Sequence, residues 1–223
     1  MFKSILLSFS FCFAVFIANA QYTKADLYSD LQTLLDNKQS QYGLEGASIS
    51  VLLKDGSSWT GVSGNRLPNT QLDPNLQWNI GSVRKTYIST VILQMVDEGK
   101  LDLNDMIGMY LNTSTMTNVD SSISIKSLLN HTSPLVNGWV SPSTFWTEVW
   151  NNRDSIWSAE NTIQFTPSPV ANPNAEHRYQ GHINYALLTL LIEEVEGKGI
   201  DQVIDERISI PLGLQNTTVC VGA

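Results

Sequence analysis

Apolar residues recur at helical spacing from Asp26 to Gln41, where Leu27, Leu31, Leu34 and Leu35 form one stripe and Gly43 follows as a stop. The pattern then changes. Ala47 to Leu53 and Ser58 to Val62 are two β-rich runs on either side of Asp55-Gly56, the strongest hairpin signal in the chain. Asn65 to Asn75, dense in Asn, Pro and Asp, reads as a loop. From Ser82 the helical pattern returns. Val83, Tyr87, Val91, Ile92, Met95 and Val96 keep one stripe up to Gly99, while Ile88 and Leu93 fall off it. That predicts a helix apolar on more than one face, as in the middle of a domain.

Ser124 caps a short helix reaching Asn130, with Leu128 and Leu129 facing inward. Residues 134–173 have weak periodicity and carry Trp139, Trp146, Trp150 and Trp157. They read either as a loop-rich subdomain buried by its own tryptophans or as an aromatic wall over a cleft. A long helix starts at Asn184, passes through Leu187, Leu188, Leu191, Ile192 and Val195, and ends at Gly197. A further helix spans Ile200 to Ile208 and is stopped by Pro211. Two strands do not make an independently stable sheet, so the hairpin calls for partner strands that the downstream pattern does not show.

The first twenty residues change the picture of where the chain works. Lys3, the apolar run Ile5 to Ile17 and Ala18-Asn19-Ala20 have the order of a secretory signal peptide. The run is shorter than the roughly 20 residues of a membrane span. Residues 1–20 are therefore expected to be removed and 21–223 to form the mature domain, secreted or periplasmic, with no stable membrane anchor. The formal net charge of −8 argues against nucleic acid or anionic lipid as a partner. Cys12 lies in the leader, so Cys220 has no internal partner and stability must come from a packed core. His131, His177 and His182 have no metal-ligand spacing with it, and no metal is expected.

The candidate chemistry sits at Ser82 and Lys85. A serine needs a base within hydrogen-bond reach to act as a nucleophile. Residues i and i+3 of a helix share a face, and a lysine serves as a base where burial or charge favours its neutral form. Ser82 also starts its helix, where free N–H groups favour an oxyanion. By itself the spacing is weak: chance alone gives about one Ser-x-x-Lys in a chain of this composition, and one is present. Alone, Ser82 reads as a helix cap and Lys85 as a solvated lysine.

The surrounding phrases lift the pair above chance. Trp78-Asn79-Ile80-Gly81-Ser82-Val83-Arg84-Lys85 resembles the nucleophile segment of the class C β-lactamase-like branch of the penicillin-binding-protein and serine β-lactamase superfamily. Glu98 to Asp105, Ile123 to Ser133, the helix from Asn184 and Pro211-Leu212-Gly213-Leu214 resemble it in the same order, from about Leu27 to Thr218. The resemblance implies an α+β fold: an antiparallel sheet flanked by helices plus an all-helical part, with the active site between them. It implies a serine hydrolase that cleaves amide or ester bonds of a small-molecule or peptide substrate through an acyl-serine, without metal or organic cofactor.

Two departures stand out. The family's Tyr-x-Asn motif falls in Pro173 to Tyr185 with one residue inserted. Counting forward from Pro173 puts Tyr179 on the motif tyrosine, whereas counting back from Asn184-Tyr185 puts Gln180 there and His182 on the asparagine. Tyr179 is favoured, because a tyrosine can transfer a proton; either Gly181 or His182 then stands for the asparagine, and His182 also reads as a cap of the next helix. The family places its Lys/His-x-Gly motif on a strand well beyond Pro-Leu-Gly, and none follows Pro211-Leu212-Gly213 before Ala223. The resemblance thus implies the family domain over 21–223 with its C-terminal strands missing. A truncated, non-catalytic relative that at most binds peptidoglycan-like peptides is the alternative.

Overall fold

A computed structural model of the protein describes residues 22–67, 69–136, 145–152, 157–168 and 181–219. The chain divides into two units, Met1–Leu76 and Gln77–Ala223.

In the first unit, helix α1 (Lys24–Tyr42) begins in a capping box. The Thr23 hydroxyl accepts from the Asp26 N–H, and the Asp26 carboxylate accepts from the Thr23 N–H. It ends where the stripe predicts, at Gly43, whose φ of 61° closes the helix in the left-handed conformation. Strands β1 (Gly46–Leu52) and β2 (Ser58–Leu67) pair antiparallel, with Ala47 opposite Ser63, Ile49 opposite Gly61 and Leu52 opposite Ser58. Their turn is held by Asp55, which accepts from the Ser57 N–H and hydroxyl and pairs with Lys24. The segment read as a loop is partly sheet: β2 continues to Leu67 and folds back onto β3 (Thr70–Gln71), giving the order β1-β2-β3. The hairpin does find a partner, though only a two-residue one. Helix α1 lies close on β2, and the Gln32 amide donates to the Val62 carbonyl. At Gly61 an added Cβ would collide with the Trp59 ring and the Gln32 amide.

The second unit is helical. A 3₁₀ turn, Gly81–Val83, runs into α2 (Arg84–Asp97). Further 3₁₀ turns at Ile107–Met109 and Thr113–Thr115 lead to α3 (Ile125–Leu129), capped by the Ser124 hydroxyl on the Ser127 N–H. There follow α4 (Phe145–Asn151), α5 (Ala159–Ile163), α6 (Gly181–Glu196) and α7 (Ile200–Ile204). A single π turn, Asp205–Ser209, joins α7 to α8 (Ile210–Leu212). Pro211 therefore does not stop the last helix. The Ile210 N–H reaches back to the Asp205 carbonyl, the wider turn absorbs the missing donor, and Gly213 ends the helix at φ 64°.

The core packs Ile88, Val91, Ile92 and Met95 of α2 with Leu187, Leu188, Leu191 and Ile192 of α6, together with Ile107, Ile125, Leu128 and Leu135. Ile88, which falls off the predicted stripe, is on the buried face, while Val83 and Leu93 are exposed. Helix α2 is thus one-sided. In the tryptophan-rich region Phe145, not a tryptophan, is the buried centre, met edge-on by Trp146, Trp157 and Phe165. Trp150 is exposed, and Trp139 lies outside the described residues.

Helices α2 and α6 run side by side in the same direction. At their starts the Ser89 and Tyr185 hydroxyls meet at 2.9 Å. At their ends the Arg207 guanidinium holds Glu98 through two contacts of 2.6 and 2.9 Å and Glu196 at 2.7 Å, and Lys100 bridges the same two carboxylates.

Candidate active site

Residues Asn79 to Lys85 form a continuous local device. The Asn79 side chain accepts from the Gly81 N–H at 2.9 Å, and Gly81 takes a positive φ of 52°, which turns the chain into the 3₁₀ start of α2. Ser82 lies in that turn and is exposed, whereas Lys85, one turn on, is only 8% exposed. The reason is its place on the helix. Lys85, Ile88, Ile92 and Met95 follow one another at helical spacing on the buried face. The Lys85 Nζ donates to the Ser82 Oγ at 2.7 Å. The solvated-lysine reading therefore gives way to a buried lysine on the serine.

Helix α6 supplies the wall of the site. It starts at Gly181, three residues before the expected Asn184, so His182 lies within its first turn. Asn184 is not a cap but a fully buried strut: the Ser133 hydroxyl donates to its Oδ1 at 2.8 Å, and its Nδ2 donates to the Leu128 carbonyl at 3.1 Å. This fixes the His131-Thr132-Ser133 phrase to α6. Tyr185, next in sequence, places its ring 5.7 Å from the Lys85 Nζ, within cation–π range. Its hydroxyl is tied to Ser89 and, at 3.4 Å, to the Leu129 carbonyl, and His131 packs against the ring with centroids 5.6 Å apart. Sequence reasoning used Tyr185 only to set a register. The signal for its role was its place one helical turn after His182.

His182 is half-buried, and its pKa is pushed down to about 4, first by burial and then by the positive charges of Lys85 and Arg84. At neutral pH it is an uncharged imidazole. Gly181 is buried and has no side chain to offer. Tyr179 lies outside the described residues, as do Gln180 and residues 1–20, the segment expected to be a leader. Among the described residues no group of three or more His, Cys, Asp or Glu is placed to hold a metal ion, and no helix is long and apolar enough to cross a membrane.

A family model described as Beta-lactamase matches residues 31–222. The chain belongs to the β-lactamase family. Among curated proteins it is similar to the D-alanyl-D-alanine-carboxypeptidase/endopeptidase AmpH of Escherichia coli (strain K12), with 26% identity over 186 residues, covering 79% of this chain and 46% of AmpH. Among solved structures it resembles a D-stereospecific amidohydrolase from Streptomyces sp. (25% identity, TM-score 0.69, 84% of this chain and 55% of the other). It also shares the fold of the D-amino acid amidase from Ochrobactrum anthropi SV3 complexed with D-phenylalanine (23% identity, TM-score 0.73, 89% and 54%). The chain thus spans about half the length of these relatives. The small antiparallel sheet and the helical unit are the family's α+β arrangement.

Proposed function

We propose that this chain carries the nucleophile of a serine hydrolase that cleaves amide or ester bonds through an acyl-serine intermediate. The observation that supports this reading best is the 2.7 Å hydrogen bond between a buried Lys85 and an exposed Ser82 at the start of a helix. In the acylation step the Ser82 Oγ attacks the carbonyl carbon while Lys85 takes the hydroxyl proton. The tetrahedral oxyanion develops near the N–H groups at the start of α2, and collapse breaks the C–N or C–O bond. Tyr179 then delivers the proton from Lys85 to the leaving group, and water hydrolyses the acyl ester by the reverse proton path.

AmpH and the Streptomyces amidohydrolase bear names that refer to D-configured substrates. The substrate class proposed for this chain is accordingly an amide or peptide bond next to a D-amino acid. The leader sequence suits an exported enzyme meeting such substrates outside the cytoplasm.

Labelling with a fluorophosphonate and with a fluorescent penicillin tests the mechanism. A covalent adduct on Ser82 that disappears in Ser82→Ala is the expected result. Folded protein that takes no label, or a label retained in Ser82→Ala, rules the reading out.

A further inference from the structure

The sheet of the first unit ends on β1, and that edge is open where the opposite one is not. The Leu53 N–H donates to the Ser57 carbonyl, and the Asn65 N–H to the Glu45 carbonyl. Backbone groups alternate in direction along an antiparallel strand. Ala47, Ile49 and Val51 therefore turn theirs toward β2, and Gly46, Ser48, Ser50 and Leu52 turn theirs outward. Among the described residues no hydrogen bond reaches these outward groups. On the far side of β2, by contrast, the Val62 carbonyl accepts from the Gln32 amide and the Gly64 carbonyl from the Leu72 N–H. β1 also lacks the usual guards of an edge strand, since Gly46–Leu52 holds no charged residue and no proline. We propose that β1 pairs antiparallel with β1 of a second copy of this chain, about a two-fold axis through Ile49, joining the two sheets into one. This is independent of the serine-hydrolase reading.

The strand fits a copy of itself, and this selects the partner. About Ile49, Ser48 balances Ser50 and Ala47 balances Val51. With Ile49 opposite its counterpart, Ser48 faces Ser50 and Gly46 faces Leu52, so every residue of β1 is paired. The hydrogen-bonded positions are then those whose groups point outward, and Ile49 forms a non-hydrogen-bonded pair, where side chains approach most closely. A shift by one residue would set outward groups against groups already bonded to β2. Ile49 shares a face with Gly61, the α1 side of the sheet, but α1 lies over β2 more than over β1 and leaves Ile49 45% exposed. Its counterpart would cover it. Charge agrees: Glu45 precedes the strand and Lys54 follows it, both exposed. Antiparallel pairing brings the acidic end of each copy to the basic end of the other, whereas parallel pairing would bring like to like. A two-fold contact uses both β1 edges at once, so the assembly closes at a dimer.

Two measurements on the full chain test this. The first is disulfide cross-linking, with Cys12 and Cys220 replaced by Ser. Ile49→Cys sets two thiols across the two-fold axis at a separation a disulfide spans, so mild oxidation is expected to give a covalent dimer. Leu52→Cys is more exposed, at 78%, but stands opposite Gly46 and is expected to cross-link about 10-fold more slowly or less. The second is sedimentation velocity over a concentration series. The wild type is expected to show a monomer–dimer equilibrium. Ser48→Pro, which removes an outward N–H and leaves the β1–β2 bonds in place, is expected to raise the dissociation constant about 10-fold or more. The cysteine pair decides the matter should Ser48→Pro fail to fold. A wild-type chain that stays monomeric throughout overturns the proposal and leaves the edge to a strand of a different polypeptide. Cross-linking as fast in Leu52→Cys as in Ile49→Cys, a dimer that persists in folded Ser48→Pro, or open-ended assemblies in place of a dimer overturn it as well.

Discussion

The two units of this chain solve the problem of burial in opposite ways. In Gln77–Ala223, α2 and α6 press two continuous apolar faces together, and Val91, Ile92, Met95, Leu187, Leu188, Leu191 and Ile192 lose all contact with water. In Met1–Leu76 a helix lies on a three-stranded sheet, yet Leu35 is the one apolar side chain buried among the described residues. Leu34, Ile49, Leu52 and Leu67 stay largely exposed. The hydrogen-bond ladder of β1 and β2 is complete along its length, so the difference is not one of secondary structure. What separates the units is apolar area removed from water, the main favourable contribution to folding. The Ser82–Lys85 pair follows the same division. Lys85 is buried because it starts the apolar face of α2, and no comparable layer exists among the described residues of the first unit.

The sharpest way to break this contrast is to empty the dense side. Leu188→Ala, at a position fully removed from solvent, is expected to lose about 2–5 kcal/mol in urea unfolding, because the cavity cannot collapse between two packed helices. A loss below 1 kcal/mol would show that the two helices are not packed as described.

A smaller effect is expected at the far end of the same helices. Arg207→Met removes the ties to Glu98 and Glu196 and should cost about 1 kcal/mol at low salt, less as salt is added. The pH dependence identifies the cause. Hydrogen bonds from Arg207 and then Lys100 hold the Glu98 carboxyl at about 2, below its ordinary 4.5. Glu98 therefore contributes stability that is fully present above the ordinary carboxylate range and is lost as pH falls through about 2. In Arg207→Met the acid limb of the stability profile should shrink within that window. An unchanged limb would assign it to other carboxylates.

The smallest change belongs to the open side. Leu52→Ala, at a side chain 78% exposed at the end of β1, is expected to move stability by no more than about 0.5 kcal/mol. A loss comparable with that of Leu188→Ala would mean that the first unit has a core after all.

Much of this was legible in the chain because local rules decide it. Gly43 ends α1, Ser124 caps α3, Asp55-Gly56 turns the hairpin, and Ser82 and Lys85 meet through the pitch of a single helix. The failures share a cause as well. Asn184 looks like a helix start, but its partners Ser133 and Leu128 lie more than fifty residues away, and no local pattern records them. Asn65 and Gln71 have loop composition, yet a neighbouring strand supplies the pairing that their propensities do not. Pro211 reads as a stop because a regular helix cannot hold it there, and the π turn that accommodates it has no sequence signature. The placement of His182 depends on the direction of α6 relative to α2, a tertiary property.

Because the 3₁₀ turn carrying Ser82 runs without a break into α2, the backbone positions of Ser82 and Lys85 are set by one continuous helical segment. Sliding or rotating that segment as a rigid rod changes what can reach the pair but leaves the two positions one turn apart. Surrounding loops are thereby free to drift in sequence and reshape access, while Ser82 keeps Lys85 one turn away through every such change.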